Sequence, residues 1–224
     1  LNPRDELITI LCEVGPENIW RPVYDNENVL LADGIADMRD GSPGDISAVD
    51  FHEKTVLDLG CNFGFYSFLA KRLGAKRVLG VDSNARVIKG CELLKAIHKI
   101  QGVSFHLGDL TASNLPGRFD IAMLINFIGK KMVAEGIKKV LDAVEHHSLN
   151  TMIISARAYY RIPKHLGGNA ERIIRHYTST YLKGDKFHLI SFIHDYFHER
   201  WDMSVISADR DDPDIKRTLL FTRK

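Results

Sequence analysis

Two rhythms of apolar residues alternate along the middle of the chain. Residues 55–59, Thr-Val-Leu-Asp-Leu, form a short apolar run closed by Gly60, which predicts a strand. Phe65, Phe68, Leu69 and Leu73 then recur at helical spacing. The same pair of patterns repeats. Strands are predicted at 77–81, 103–107, 120–125 and 151–155. Between them, Val87, Cys91 and Leu94 mark one helix, and Val133, Ile137, Val140, Leu141 and Val144 mark another. Runs that are apolar on both faces suit strands covered on both sides, as in a parallel sheet with helical crossovers. Right-handed crossovers then give a doubly wound fold.

The two ends break this rhythm. Residues 1 to about 50 are rich in Asn, Asp, Gly and Pro, notably at 25–28 and 40–45, with room for one helix at 4–13. This stretch is expected to form a cap or lead-in, and residues 51–224 the main domain. Beyond residue 155 come a Tyr159–Tyr160 pair, a Gly167–Gly168 break, a predicted helix over about 169–182, and a second helix carrying Leu189, Phe192, Ile193, Tyr196 and Phe197. Strands are predicted at 203–207 and 218–222, joined by the polar stretch 209–214. That link is too short for a crossover helix, so the last strand is expected to run antiparallel. The expected fold is therefore α/β, a Rossmann-like doubly wound sheet of seven strands, mostly parallel with an antiparallel last strand.

Composition narrows the function classes. The chain has 224 residues, 45% of them hydrophobic, enough for one α/β domain with a sizeable core. Its 30 basic and 29 acidic residues leave a net charge of +1, which does not suggest a globally basic nucleic-acid binder. Cys12, Cys61 and Cys91 lack metal-ligand spacing, and their odd number argues against a disulfide framework. No metal is expected, and a reducing, cytoplasmic setting is the simplest reading. No apolar run reaches the roughly 18 residues of a membrane span. Residues 7–14 are too short, and too closely preceded by Asp5 and Glu6, for a signal peptide.

The candidate chemistry lies at 56–67, Val-Leu-Asp-Leu-Gly-Cys-Asn-Phe-Gly-Phe-Tyr-Ser. An acid at a strand end is followed by glycines that permit a tight strand-to-helix turn and close approach of a ligand. The next helix N-terminus offers free N–H groups to an anion. A dinucleotide fingerprint starting at Gly60 would need glycine where Asn62 and Phe65 stand, and no P-loop Gly-Lys-Ser/Thr follows. The pattern of Asp58, Gly60 and Gly64 instead resembles the first motif of the class I S-adenosylmethionine (SAM)-dependent methyltransferases. Asn62 replaces that motif's middle glycine, and asparagine tolerates left-handed backbone angles.

That resemblance implies more. In the family an acid at the end of the second strand meets the ribose hydroxyls, and Asp82 stands there, 22 residues after Gly60. Another acid after the third strand lies near the adenine amino group, matching Asp109 in Gly108-Asp109-Leu110. The implied cofactor is SAM, lined by Asp58, Gly60, Cys61, Asn62, Gly64, Tyr66, Asp82, Ser83, Asp109, Leu110 and Asn126. Each has a plainer reading: Asp82 as a helix cap, Asp109 as a turn residue, Cys61 as a small loop residue, and Tyr66 and Ser67 as packing. After the fourth strand the chain reads Asn126-Phe-Ile-Gly129, without the Asn-Pro-Pro-aromatic sequence of adenine amino-methylating relatives. Asn126 is a candidate for the transfer site. His165 and His176 are further candidate bases.

Substrate in such folds is often covered by the region after the fifth strand, here an insertion at 155–186. Between 155 and 190, Arg157, Arg161, Lys164, Arg172, Arg175, Lys183 and Lys186 stand against Glu171 and Asp185. Tyr159, Tyr160, Tyr177 and Tyr181 are interleaved with them. This segment suits an anionic small molecule or an RNA strand; its plain reading is a solvated helix face over packed tyrosines. Residues 60–68 also resemble a methyltransferase subgroup that includes tRNA wobble-uridine modification enzymes. The expected function is SAM-dependent methylation of an unidentified acceptor, a small molecule being favoured; methylation of RNA, and a methyltransferase-like binding module without turnover, are the alternatives. A nicotinamide-binding domain is disfavoured by Asn62 and Phe65.

Overall fold

A computed structural model describes residues 2–36, 41–111, 115, 117–168, 170–207 and 216–224. Helix α1 (Pro3–Val14) leads to a hairpin, β1 (Val23–Tyr24) and β2 (Leu30–Ala32), and to α2 (Ser42–Ser47). The alternating part follows as β3 (Thr55–Leu59), α3 (Phe65–Arg72), β4 (Arg77–Asp82), α4 (Ala85–Ile97), β5 (Val103–Leu107), β6 (Phe119–Leu124), α5 (Lys130–Glu135), α6 (Lys138–His147) and β7 (Ser148–Arg157). Then come β8 (Tyr160–Arg161), α7 (Ile162–His165), α8 (Ala170–His176), β9 (Leu182–Lys183), β10 (Lys186–Phe187), α9 (Leu189–Phe197), β11 (Trp201–Val205) and β12 (Lys216–Arg223).

The main sheet has seven strands in the order β11-β12-β7-β6-β3-β4-β5. β3 pairs in parallel with β4 and β6, and β12 runs antiparallel to β7 and β11. The expected architecture is therefore present. Both faces are buried because the strands alternate between two apolar surfaces. Leu57, Leu59, Ala122, Leu124, Met152, Ile154 and Phe221 face a cluster with Val133, Leu141, Val144, Phe192 and Phe197 from α5, α6 and α9. Val56, Val78, Val103, Ile121, Met123 and Ile153 face Ile46, Tyr66 and Ala70 from α2 and α3. Each such aliphatic side chain contributes about 1.5–3 kcal/mol on burial. A third cluster joins Leu7, Ile10, Leu11 and Val14 of α1 to Val87, Cys91 and Leu94 of α4. Asn2 caps α1, its side-chain oxygen accepting from the N–H groups of Arg4 and Asp5.

Two expectations need correction. The apolar stripe from Val133 to Val144 is not one helix: Gly136, at φ +95°, divides it into α5 and α6. The helix expected over 169–182 is only α8, after which the chain turns into β9 and β10; β10 pairs with both β9 and β8 in a small sheet of their own. Two-residue strands are too short to carry a period of two, so periodicity could not reveal them. The stretch 209–214, Asp40 and Asn169 lie outside the described residues.

β3 is followed by β4 and β5 on one side, whereas β6 and β7 lie on the other. The strand order thus reverses between β3 and β6. The loops leaving the C-terminal ends of these two strands meet at that point, where open α/β sheets form their ligand crevices.

Candidate functional site

The turn after β3 is built from left-handed backbone. Gly60, Asn62 and Gly64 have φ of +71°, +47° and +76°, so Asn62 adopts the conformation a glycine would otherwise supply. Its side chain does something glycine cannot. Nδ2 donates to the Asn18 carbonyl at 2.8 Å and Oδ1 accepts from the Trp20 N–H at 3.1 Å, pinning the N-terminal segment across the turn. At Gly60 an added Cβ would lie 2.3 Å from Cδ2 of Phe127, so glycine is the residue that lets the ring approach.

Two cavities flank this turn. The larger, about 400 Å³, is lined by Trp20, Arg21, Tyr24, Gly60, Cys61, Asn62, Phe65, Tyr66, Asp82, Ile125, Asn126 and Phe127 among others. The second, about 320 Å³, is lined by Gly60, Asp82, Ser83, Gly108, Asp109, Leu110, Thr111, Phe127 and Met132 among others. Gly60, Asp82 and Phe127 border both. Asp82 therefore sits at the junction, with Oδ2 accepting from the Asn62 N–H and Oδ1 from the Asn84 N–H, both at 3.0 Å. It is not the helix cap: Asn84 is the residue that caps α4. A carboxylate has about four acceptor positions, so two remain for a ligand. A cofactor with a ribose between two unlike ends fits this arrangement.

Asp58 is placed differently from its neighbours in the motif. It is 2% exposed, lines neither cavity, and accepts a 2.6 Å hydrogen bond from the Ser67 hydroxyl. Burial pushes its pKa from the ordinary 3.8 up to about 6, partly offset by the Ser67 bonds. The folded protein therefore holds this proton more tightly than the unfolded chain. The contribution to stability is full below about pH 4 and is lost as pH rises through about 6, a change of about 2–3 kcal/mol. Asp58→Asn should remove that fall. Denaturant unfolding at pH 4 and pH 7 checks it, and an unchanged pH dependence would contradict the assignment.

The second loop contributes Asn126, at φ +59°, another left-handed position that asparagine adopts more readily than most residues. Its N–H donates to the buried Ser155 hydroxyl at 2.6 Å, and its Nδ2 lies 3.4 Å from the Tyr66 hydroxyl. Tyr66 also accepts from Nη2 of Arg21 at 2.5 Å. Asp109 lines the second cavity but also accepts from the Thr111 N–H and hydroxyl, which hold its pKa below the usual carboxylate range. Cys61 lines the first cavity, where hydrogen bonding with the Cys91 thiol and burial push its pKa well up, opposite to what a nucleophile needs.

The remaining candidates lie apart. Neither His165 nor His176 lines either cavity; His165 Nδ1 accepts from the Arg161 N–H, and His176 is exposed. Within 155–190 the tyrosines split into two kinds. Tyr160 and Tyr177 are buried, donating to the carbonyls of Ile128 and Val133, and burial raises both pKa values, that of Tyr160 to about 12. Tyr160 thus ties the insertion to the loop after β6, and Tyr177 ties it to α5. Tyr159 stays half-buried with Lys186 Nζ 4.6 Å from its ring centroid, and Arg161, Lys164, Arg172, Arg175 and Lys183 are exposed. Sequence reasoning missed Asn18, Trp20, Arg21 and Phe127. Asn62, in place of the motif's middle glycine, was the available signal that a side chain was needed at the turn.

A family model described as "Methyltransferase domain" matches residues 50–184. Over 78 residues the chain is 36% identical to the ribosomal protein L11 methyltransferase of Colwellia psychrerythraea, covering 31% of this chain and 27% of that relative. Over 68 residues it is 38% identical to the tRNA U34 carboxymethyltransferase of Campylobacter hominis, covering 30% and 23%. The match thus spans about a quarter of the length of these relatives. The crystal structure of the N-terminal domain of EvdMO1 in the presence of SAH and D-fucose superposes with a TM-score of 0.62 at 14% identity, over 100% of this chain and 97% of that one, a likeness of fold.

Proposed function

The chain belongs to the class I SAM-dependent methyltransferase family, and on that footing we propose that it transfers a methyl group from SAM to a small-molecule acceptor bound beside Tyr66 and Asn126. The observation that carries this reading is the pair of cavities meeting at Gly60, Asp82 and Phe127, at the point where the strand order reverses. When bound, SAM supplies a sulfonium methyl that needs no further activation. The chain then has to position and to exclude water. Asp82 takes the ribose hydroxyls, while Ser83, Asp109 and Leu110 border the adenine side. Gly60, Cys61, Asn62 and Gly64 shape the turn, and Asp58 braces it from below through Ser67. Tyr66 and Asn126 are the polar groups at hand to orient an acceptor. No base is assigned, since one is needed only if the acceptor must lose a proton.

In this reading residues 51–224 are the catalytic domain, 1–50 a cap over the cofactor turn, and 155–186 an insertion bordering the acceptor. Among the described residues no helix is long and apolar enough to cross a membrane. The free thiols of Cys12, Cys61 and Cys91 suit a reducing, cytoplasmic setting. A cavity of about 400 Å³ is within the usual range for small-molecule sites.

A second reading, RNA as acceptor, is favoured by the five exposed cations of the insertion and by the local likeness to a tRNA-modifying relative. Incubation with methyl-tritiated SAM and separate metabolite and RNA pools, with product identification by mass spectrometry, tests both. Label in a small molecule is the expected result. Label in RNA, with salt-sensitive retention lost on charge reversal at Arg172 and Arg175, would replace it by the second reading. No label in any pool would favour a binding module without turnover.

A further inference from the structure

Arg21 is the outlier in the N-terminal segment: an arginine only 4% exposed that is among the residues lining the larger cavity. It is held there from two sides. Asn62 fixes the backbone on either side of Ile19 through Asn18 and Trp20, and Nη2 donates to the Tyr66 hydroxyl. The guanidinium carbon lies 5.5 Å and 5.8 Å from the ring centroids of Tyr66 and Phe65. A guanidinium fixed by a hydrogen bond and flanked by rings is pre-organised for a planar anion.

The two cavities give that anion a place in the cofactor. Asp82, at their junction, suits the ribose. Asp109 and Leu110 border the second cavity, so the adenine end points that way. The opposite end of the cofactor, a methionine with a free carboxylate, then enters the larger cavity. Among the described residues the only other arginine lining that cavity, Arg72, is exposed. We infer that Arg21 receives the carboxylate of the cofactor's methionine end, which makes the N-terminal segment a working wall of the cofactor site. The inference rests on the methyltransferase reading above and adds a residue outside the family-model match at 50–184.

The test compares S-adenosylhomocysteine with S-adenosyl-3-thiopropylamine, which differs from it only by loss of the carboxylate. Calorimetric titration of the wild-type chain should show the complete ligand binding about 10- to 100-fold tighter, the range of a charge-assisted hydrogen-bonded pair. Arg21→Met, which retains an apolar stem, should bring the two affinities together by weakening only the complete ligand. Arg21→Lys should restore part of the difference. Equal affinity of the two ligands for the wild type would overturn the inference, and would be the result if Arg21 served an anionic acceptor instead. A loss of affinity in Arg21→Met that is the same for both ligands would also overturn it, reducing Arg21 to a packing role. If Arg21→Met does not fold, the wild-type comparison and Arg21→Lys still decide. Binding of neither ligand to the wild type would instead remove the methyltransferase reading itself.

Discussion

Asp82→Ala should lower the affinity for S-adenosylhomocysteine by about 100-fold or more without unfolding the chain. Two ribose hydroxyls bonded to one carboxylate are each worth about 1.5–3 kcal/mol, and every 1.4 kcal/mol is a factor of ten. The variant also releases the cofactor turn, because Oδ2 of Asp82 accepts from the Asn62 N–H. The fold should survive. Asp82 is only half-buried, and Asn84 caps α4 through its own side chain. Asp82→Asn keeps one acceptor oxygen and should fall between the wild type and Asp82→Ala. Calorimetric titration of the three proteins is the check. An Asp82→Ala affinity equal to that of the wild type would move the ribose elsewhere.

The second large effect concerns stability. Gly60→Ala should destabilise the chain by about 3 kcal/mol, lowering the melting temperature by roughly 6–12 °C for a chain of this size. Two separate costs add. A left-handed conformation, here φ +71°, costs an alanine about 1–2 kcal/mol. The new methyl also meets the Phe127 ring at 2.3 Å and 2.8 Å, and overpacking of this kind costs about 1–3 kcal/mol. The double variant Gly60→Ala/Phe127→Ala should recover the steric share but not the backbone share, so the effects of the two substitutions will not add. A thermal melt showing Gly60→Ala as stable as the wild type would mean that the turn and the ring are not packed as described.

The middle of the fold was legible because its signals are local. Val56, Leu57 and Leu59 are apolar on both faces of one strand, and Phe65 to Leu73 keep a helical period, so β3 and α3 follow from neighbouring residues alone. The acid and glycines at 58, 60 and 64 stand within one turn. Asp82 and Asp109 were placed by their position after strands. What stayed hidden depends on contacts between distant parts of the chain. Asn62 meets Asn18 and Trp20 more than 40 residues away, and Arg21 meets Tyr66 across 45. No period or spacing encodes such pairs. Packed tyrosines are the plain reading of the 155–190 segment, but which ones pack was not legible: Tyr160 and Tyr177 are buried because their hydroxyls find the carbonyls of Ile128, in the loop after β6, and of Val133, in α5, 32 and 44 residues away. Asp58 was recognisable as part of a motif, yet its place beneath the turn, bonded to Ser67, emerged only with the packing.

The most direct measurement is a pair of calorimetric titrations on the unaltered chain, one with S-adenosylhomocysteine and one with NADH. A sulfur-linked nucleoside seated at the turn between β3 and α3 predicts saturable one-site heat with the first and none with the second. Heat with NADH alone, or with neither, would contradict the account.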